Sequence, residues 1–344
     1  GSLGRWLDEA LANGPWWVRG LVVNGVIGGV GSILTFVPIL AIFFAAMATL
    51  ESIGYMARAA FVMDRFMHIM GLHGKSFLPM CLGFGCNVPS ILGARAVESK
   101  KARLMTIFLT PFVPCTGRLA GLTFIAGAIF GGKALIITSI LVILNILALG
   151  IAGTLISKLF FKEEAIPFIM ELPLYHKPDL KTIALVTWNR TSSFVKKAGT
   201  IILGFSVALW IFSNFPGGNV EHSILGWFGQ LIEPFGRPLG LDWKMLVALL
   251  ASIFAKENSV ATLGVLYNVG EQGLLDVLPA AINHASALSF LVVLMLLIPC
   301  LPTITVMKQE MGGWKWLIVS LLLMLLISYG CGMLAYHLAL FVGL

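Results

Sequence analysis

From Gly20 to Leu50 the chain runs 31 residues without a single charged side chain. A stretch of that length and polarity constrains the fold more than any other feature, because about 20 apolar residues already cross a bilayer as a helix. The feature recurs. Further apolar stretches occupy 77–93, 104–131, 134–157, 198–215, 245–267, 284–307 and 316–342. The whole chain is 58% hydrophobic and 11% charged, whereas a soluble domain carries about 25% charged residues. Too little charge is present to build a water-facing surface. The expected fold class is therefore an all-α polytopic membrane protein with about eight hydrophobic segments.

The net charge of +7 would suggest a nucleic-acid partner in a soluble protein. Here the basic residues sit in short runs beside apolar segments: Arg95, Lys100, Lys101 and Arg103, then Lys158 to Lys197. That is the pattern of a cytoplasmic face, so the expected partner is the lipid bilayer and not nucleic acid. Residues 3–24, with Trp6, Trp16 and Trp17 among charges, suit an amphipathic helix lying in the membrane interface. The chain opens with Gly1-Ser2 and has no initiator Met, which reads as a piece of something longer.

Two of the apolar stretches, 134–157 and 316–342, are long and uninterrupted. The others are broken. Segment 77–93 holds Pro79, Gly83, Gly85 and Pro89; segment 104–131 holds Pro111, Pro114, Gly117 and a mid-segment Arg118. Segment 245–267 carries Lys256-Glu257-Asn258 at its centre, and 284–307 carries Pro299 and Pro302 around Cys300. A broken helix in lipid frees backbone groups that protein, water or substrate must satisfy. The breaks come in the same order twice, which points to two similar halves with broken or re-entrant helices around a transport site. The expected organisation is an interfacial helix and approach over 1–28, a first half over 29–157, a cytoplasmic connector over 158–197 and a second half over 198–344.

Cys86, Cys115 and Cys300 each sit at a break. Thiolates are soft ligands that favour late first-row metals over Mg²⁺ or Ca²⁺. Asn87 and Asn258 add harder oxygens, and Glu257 adds charge inside a membrane segment, where an ionisable residue is costly and usually functional. The candidate metal-binding residues are thus Cys86, Asn87, Cys115, Glu257, Asn258 and Cys300. A structural pairing of Glu257 with Lys256 stands beside that reading. Arg118 and Glu51 stand open between a functional role and snorkelling to the interface. Cys81 and Cys331 have no break nearby and read as packing residues. Met56, Met63 and Asp64 likewise read as packing, and no histidine shows metal spacing. The run Gly71–Ser76 (GLHGKS) has Ile69 where a phosphate loop needs its first Gly, and HExxH is absent; no catalytic residue is expected.

Seven blocks carry a resemblance. They are ESIGYMARAAFVMDR (51–65), GKSFLPMCLGFGCNVPSILGAR (74–95), RLMTIFLTPFVPCTGRLA (103–120), PFIMELPLYHKP (167–178), FVKKAGTIILGFSVALWIFSNFP (194–216), FAKENSVATLGVLY (254–267) and IPC (298–300). In order and in content the chain resembles the FeoB ferrous iron transporters from about residue 20 to its end. The resemblance covers the membrane permease with its paired Gate regions, and not the G-protein domain and helical spacer of that family. It implies Fe²⁺ uptake across the cytoplasmic (inner) membrane of a prokaryote, with GTP hydrolysis supplied by a cytosolic G-protein domain. The family's cysteines fall on Cys86, Cys115 and Cys300. A small Feo accessory protein and a homo-oligomer belong to the same implication, and no tightly bound cofactor does. Where many members read SCSAR and AKEVVV, this chain reads Pro114-Cys115-Thr116-Gly117-Arg118 and Ala255-Lys256-Glu257-Asn258-Ser259-Val260. Both departures lie beside the expected ligands, so they leave the choice of metal open between Fe²⁺, Mn²⁺ or another. Two other classes stay open: a carrier for an organic solute such as a nucleoside, and a non-transporting scaffold that docks a cytosolic GTPase.

Overall fold

A computed structural model describes residues 28–69, 72, 74–160, 177–214, 223–256, 258–267, 269 and 273–343. The expected interfacial helix over 3–24 and Glu257 lie outside the described residues. Every regular element among those described is helical. The helices are α1 (Gly28–Ile53), α2 (Tyr55–Ile69), α3 (Phe77–Gly85), α4 (Asn87–Gly93), α5 (Lys100–Leu109), α6 (Thr116–Phe130), α7 (Ala134–Phe160) and α8 (Leu180–Asn214). They continue with α9 (Ile224–Gly236), α10 (Trp243–Phe254), α11 (Asn258–Leu266), α12 (Leu274–Ala281), α13 (His284–Leu296), α14 (Leu301–Glu310) and α15 (Trp314–Val342). The chain divides into two compact units, residues 1–49 with 178–232 and residues 50–177 with 233–344.

The first unit holds most of α1 and all of α8. Pro38 sits inside α1. Helix α8 runs 35 residues without interruption, through the 197/198 boundary drawn from the sequence. Its start is fixed by Asp179, whose carboxylate accepts from the Lys181 and Thr182 amides and from the Thr182 hydroxyl. Those bonds, the Thr182 hydroxyl first, hold the Asp179 carboxyl below its ordinary value, as a carboxylate at a helix N-terminus should be.

Among the described residues, three stretches, all in the second unit, are long and apolar enough to cross a bilayer: Lys100–Lys158, His284–Glu310 and Trp314–Val342; a fourth results if Leu40–Ile53 and Arg58–His68 count as one bent span. Helix α7 has 27 residues, about 40 Å at 1.5 Å per residue against roughly 30 Å of hydrocarbon. Leu135, Ile136, Ile143, Leu147 and Ile151 on it are exposed, which marks a lipid-facing stripe. Lys158 in its last turn sits where its charge can reach the headgroups. The chain is a helical multi-pass membrane protein.

The interrupted stretches are made of pieces too short to cross. Helices α3 and α4 have 9 and 7 residues, about 13 and 10 Å long. The Ser90 hydroxyl of α4 donates to the Pro79 carbonyl of α3, eleven residues back along the chain. Two collinear helices would hold those atoms about 16 Å apart, so α3 and α4 fold back on each other as a hairpin. Helices α10 and α11, with 12 and 9 residues, also pack against each other.

Two apolar clusters hold this unit. One joins α6, α10 and α13 through Leu122, Ile125, Leu249, Phe290 and Leu294; the other joins α4, α5, α7 and α14 through Ile91, Met105, Phe112, Ile156 and Met307. Helices α13 and α15 approach closely, with Ser289 donating to Gly332 O at 3.1 Å and Ser328 to Val293 O at 3.3 Å. A Cβ on Gly332 would come within 2.4 Å of Val293 Cγ2, so the smallest residue sets this approach. At the basic edge, Arg95 donates from Nε to both carboxylate oxygens of Glu310 at 3.0 Å. Lys75 meets Glu98 at 2.6 Å and holds that carboxyl below its usual value.

Candidate functional site

The breaks have a common geometry. Cys86, between α3 and α4, is extended at φ −152°, ψ 130°; Ala255, which ends α10, is extended at φ −150°, ψ 133°. Cys115 and Cys300 each occupy the residue before a helix, at φ −79°, ψ 164° and φ −64°, ψ 154°. Proline accounts for both of these. Pro114 and Pro299 lack the N–H that a continuing helix needs, and each disfavours α geometry in the residue before it. Val113 is indeed extended.

The four breaks converge on the start of α6. Thr116 donates to Gly85 O at 2.9 Å, which sets the Cys115 break beside the Cys86 break. Arg118, one turn further on, is fully buried. Its guanidinium donates to Pro111 O and to Leu297 O, at 2.6 Å each, and so ties the α5–α6 break to the α13–α14 break. Lys256, 3% exposed, donates to Ile298 O at 2.7 Å. A Cβ on Gly121 would touch Ser259 Oγ at 3.5 Å, which sets α6 against the start of α11. Carbonyls freed by the breaks are thus taken up by fixed cations and a hydroxyl. Arg118 does not snorkel outward: it is a clamp in the interior.

This arrangement places the candidate ligands as follows. Cys115 and Cys300 both interact electrostatically with the Arg118 guanidinium, with each other, and in the case of Cys300 with Lys256. The Cys300 thiol also shares a hydrogen bond with Thr303 Oγ1 at 3.0 Å. Asn87 is 4% exposed, and its Oδ1 has no hydrogen-bond partner among the described residues. A Cβ added to Gly83 would sit 3.2 Å from Val113 and 3.4 Å from that oxygen, so glycine leaves the oxygen its room. Asn258 is buried at the first turn of α11. Among the described residues no three His, Cys, Asp or Glu side chains form a ready cage for a metal ion. Glu257 lies outside that set. The carboxylate of Asp64 is otherwise engaged: it accepts from the Gly74 amide at 2.6 Å and pairs with His68 at 3.4 Å.

Sequence reasoning missed three contributors: Thr116, Thr303 and the clamping role of Arg118. Only Arg118 left a signal, as a lone charge in an apolar stretch. Chemically the site combines three thiols, Cys86, Cys115 and Cys300, with two fixed cations and a buried amide oxygen that has no partner among the described residues. Fixed cations oppose the entry of a metal ion unless anions face them, and the thiolate is the form of cysteine that binds metal.

The comparisons with known proteins agree on where the chain sits. The Gate family, described as nucleoside recognition, matches residues 33–129 and 195–314. The ferrous iron transport protein B C terminus matches residues 138–190. The chain is 35% identical over 376 residues to the Fe(2+) transport protein A/Fe(2+) transporter FeoB fusion protein of Porphyromonas gingivalis, covering 94% of this chain and 44% of that protein. It is 37% identical over 318 residues to the Fe(2+) transporter FeoB of Staphylococcus aureus, at 91% and 48% coverage. Against the Fe(2+) transporter FeoB of Methanocaldococcus jannaschii it is 37% identical over 326 residues, again at 91% and 48%. The chain spans about half the length of the curated relatives it matches. No solved structure matches it.

Proposed function

The chain belongs to the FeoB family, and from that premise we propose that it is the membrane path for a divalent transition metal, Fe²⁺ before Mn²⁺, taken up across the inner membrane of a prokaryote. One observation carries this reading: four interrupted helices meet at the start of α6, with thiols at three of the breaks. Relatives named as Fe(2+) transporters support the cargo.

In this proposal the protein has two similar halves, 29–157 and 198–344, joined by the connector 158–197. The matched dihedral angles at Cys86 and Ala255, and at Cys115 and Cys300, support that repeat. The ion sheds part of its water and passes between Cys86, Cys115 and Cys300, with Asn87, Asn258 and Glu257 as oxygen ligands. Each of the three thiols gives up its proton to water as the metal arrives. Three thiolates and the Glu257 carboxylate then balance the divalent ion together with Arg118 and Lys256, which stay on the carbonyls of the breaks. Soft sulfur selects Fe²⁺ or Mn²⁺ over Mg²⁺. A cytosolic G-protein domain and a small accessory protein are the proposed partners; a relative in which transport protein A is fused to FeoB supports the latter.

The test is metal influx into liposomes that hold the purified chain and a metal-quenched dye, under anaerobic conditions, with and without the G-protein domain of a full-length relative. Influx of Fe²⁺ but not Mg²⁺, lost in Cys86→Ser and in Glu257→Gln, is the expected result. Influx that survives both substitutions overturns the site. Absence of metal influx in every condition, together with uptake of a labelled nucleoside, assigns the path to an organic solute.

A further inference from the structure

A hydroxyl inside an apolar helix ordinarily pairs with a backbone carbonyl one turn back. Thr49, Thr106, Thr110, Thr123, Thr154 and Thr305 all do so, donating to a carbonyl three or four residues earlier at 2.7–3.0 Å. Thr303 departs from this pattern. It is the third residue of α14, two before Thr305 on the same helix, and its hydroxyl bonds to the Cys300 thiol at 3.0 Å instead. That is its one hydrogen bond among the described residues.

Burial separates the roles of the two side chains. Thr303 is fully buried, so it is no ligand itself, whereas Cys300 is half-buried. Cys300 occupies the residue before α14, where a side chain leans over the first helical turn. Its sulfur has three staggered positions to choose from, and the bond to Thr303 selects one. In the neutral thiol either group can donate. When a metal–sulfur bond replaces the S–H bond and the proton leaves to water, the sulfur keeps only lone pairs. Thr303 O–H is then the donor, and the bond becomes charge-assisted. The contact therefore outlasts the exchange of proton for metal. At the same spacing after Cys115 stands Arg118, whose guanidinium is bonded to the Pro111 and Leu297 carbonyls. The two thiols are thus supported by different chemistry, and the hydroxyl belongs to Cys300.

We propose that Thr303 is a positioning residue for a divalent transition metal at Cys300: its hydroxyl fixes the sulfur and donates to it while the metal is bound. This rests on the reading of Cys300 as a ligand in the metal path. The test titrates Co²⁺, a coloured stand-in for Fe²⁺, into the purified whole chain in detergent–lipid micelles without oxygen, and follows the sulfur-to-cobalt charge-transfer band. Thr303→Val keeps the side chain's shape and removes the hydroxyl. Its Co²⁺ affinity should fall at least about tenfold, the lower end of what loss of an outer partner to a metal ligand costs. The band should also move to longer wavelength, because a sulfur without its donor releases an electron more easily. Thr303→Ser restores the hydroxyl and should return both affinity and band to wild type. Band position is read only from molecules that hold the ion, so a misfolded fraction dims the band without moving it. An unmoved band in Thr303→Val overturns the proposal whatever the affinity, as does Thr303→Ser behaving like Thr303→Val. Cys300→Ala separates this failure from a failure of the metal path. If wild type shows no such band, or Cys300→Ala leaves it unchanged in intensity and position, the ion does not reach the Cys300 sulfur, and the ligand assignment falls together with the role of Thr303.

Discussion

Replacing Arg118 by Met removes the guanidinium while keeping an unbranched apolar side chain in its place. Two energies then compete. The wild-type side chain makes two short bonds from a charged donor to carbonyls, at 2.6 Å each. Such bonds contribute about 1.5–3 kcal/mol apiece, and their loss leaves Pro111 O and Leu297 O without their partner at a dry site. Against this, burying a guanidinium carries a desolvation penalty of several kcal/mol that Met does not incur. Removing one side of a buried charged network has typically cost about 3–5 kcal/mol even so. We expect a net destabilisation of about 2–4 kcal/mol, with Arg118→Lys falling in between because an ammonium lacks the fork that spans two carbonyls. The assay is reversible unfolding in mixed detergent–lipid micelles, followed by tryptophan fluorescence. The threshold is set by ordinary interhelical hydrogen bonds in membranes, which average about 0.6 kcal/mol. If Arg118→Met costs less than about 1 kcal/mol, comparable to two such ordinary bonds, the clamp is no stronger than neutral contacts. A stabilised variant would show that desolvation wins, and would refute the assignment of Arg118 as the bolt between the breaks.

Three further outcomes follow from the same geometry. Gly83→Ala puts a methyl 3.2 Å from Val113 and 3.4 Å from Asn87 Oδ1; it should slow metal influx several-fold while costing about 1–3 kcal/mol of overpacking, read by liposome flux and detergent unfolding, and unchanged flux would detach Asn87 from the path. Gly332→Ala meets Val293 Cγ2 at 2.4 Å and should destabilise the α13–α15 pair by about 1–3 kcal/mol without changing ion selectivity, read in the same two assays. At the start of α8, the depressed Asp179 carboxyl contributes stability that is complete above its unfolded value and is lost as pH falls through the folded one. Amide exchange in the first turn of α8 should therefore be steady at neutral pH and accelerate only in acid below the ordinary carboxylate range; in Thr182→Val that acceleration should begin at higher pH, and identical profiles would contradict the assignment.

How much of this was legible in the sequence depends on how local the cause is. The breaks at Cys86, Cys115 and Cys300 follow from nearby glycine and proline, and they appear where the sequence placed them. The partners of the breaks were not legible. Arg118 and Leu297 are 179 residues apart, and Lys256 and Ile298 are 42 apart; no local pattern encodes such a bond. The α3–α4 hairpin rests on Ser90, an unremarkable serine until its carbonyl partner is known. The run of positive charge before residue 198 read as a connector, yet α8 continues through it without interruption from Leu180 to Asn214. Asn145, buried in α7 with neither amide atom paired among the described residues, escaped notice for another reason. A scan of apolar segments for charges passes over a neutral amide, although an unpaired amide in hydrocarbon still costs several kcal/mol.

The same physics explains why the basic side chains Arg118 and Lys256 belong beside thiols. An extended residue in a membrane helix exposes carbonyl oxygens, and a cation is the strongest donor that can cover them without closing the break. That cation repels a divalent ion unless anions stand next to it. On the proposed metal path, cysteine supplies an anion only on demand: as a thiol it adds no buried charge, and as a thiolate it answers both the arriving metal and the fixed cation. A permanent carboxylate at Cys115 or Cys300 would instead pair with Arg118 at rest and draw it off the carbonyls of Pro111 and Leu297. Cys115→Asp should therefore lose both the metal path and part of the Arg118 clamp, whereas Cys115→Ser should lose the path and keep the fold. Flux and unfolding measured on the same two variants separate these roles, and equal stability of the two would show that the thiol's neutrality at rest is not what the clamp requires.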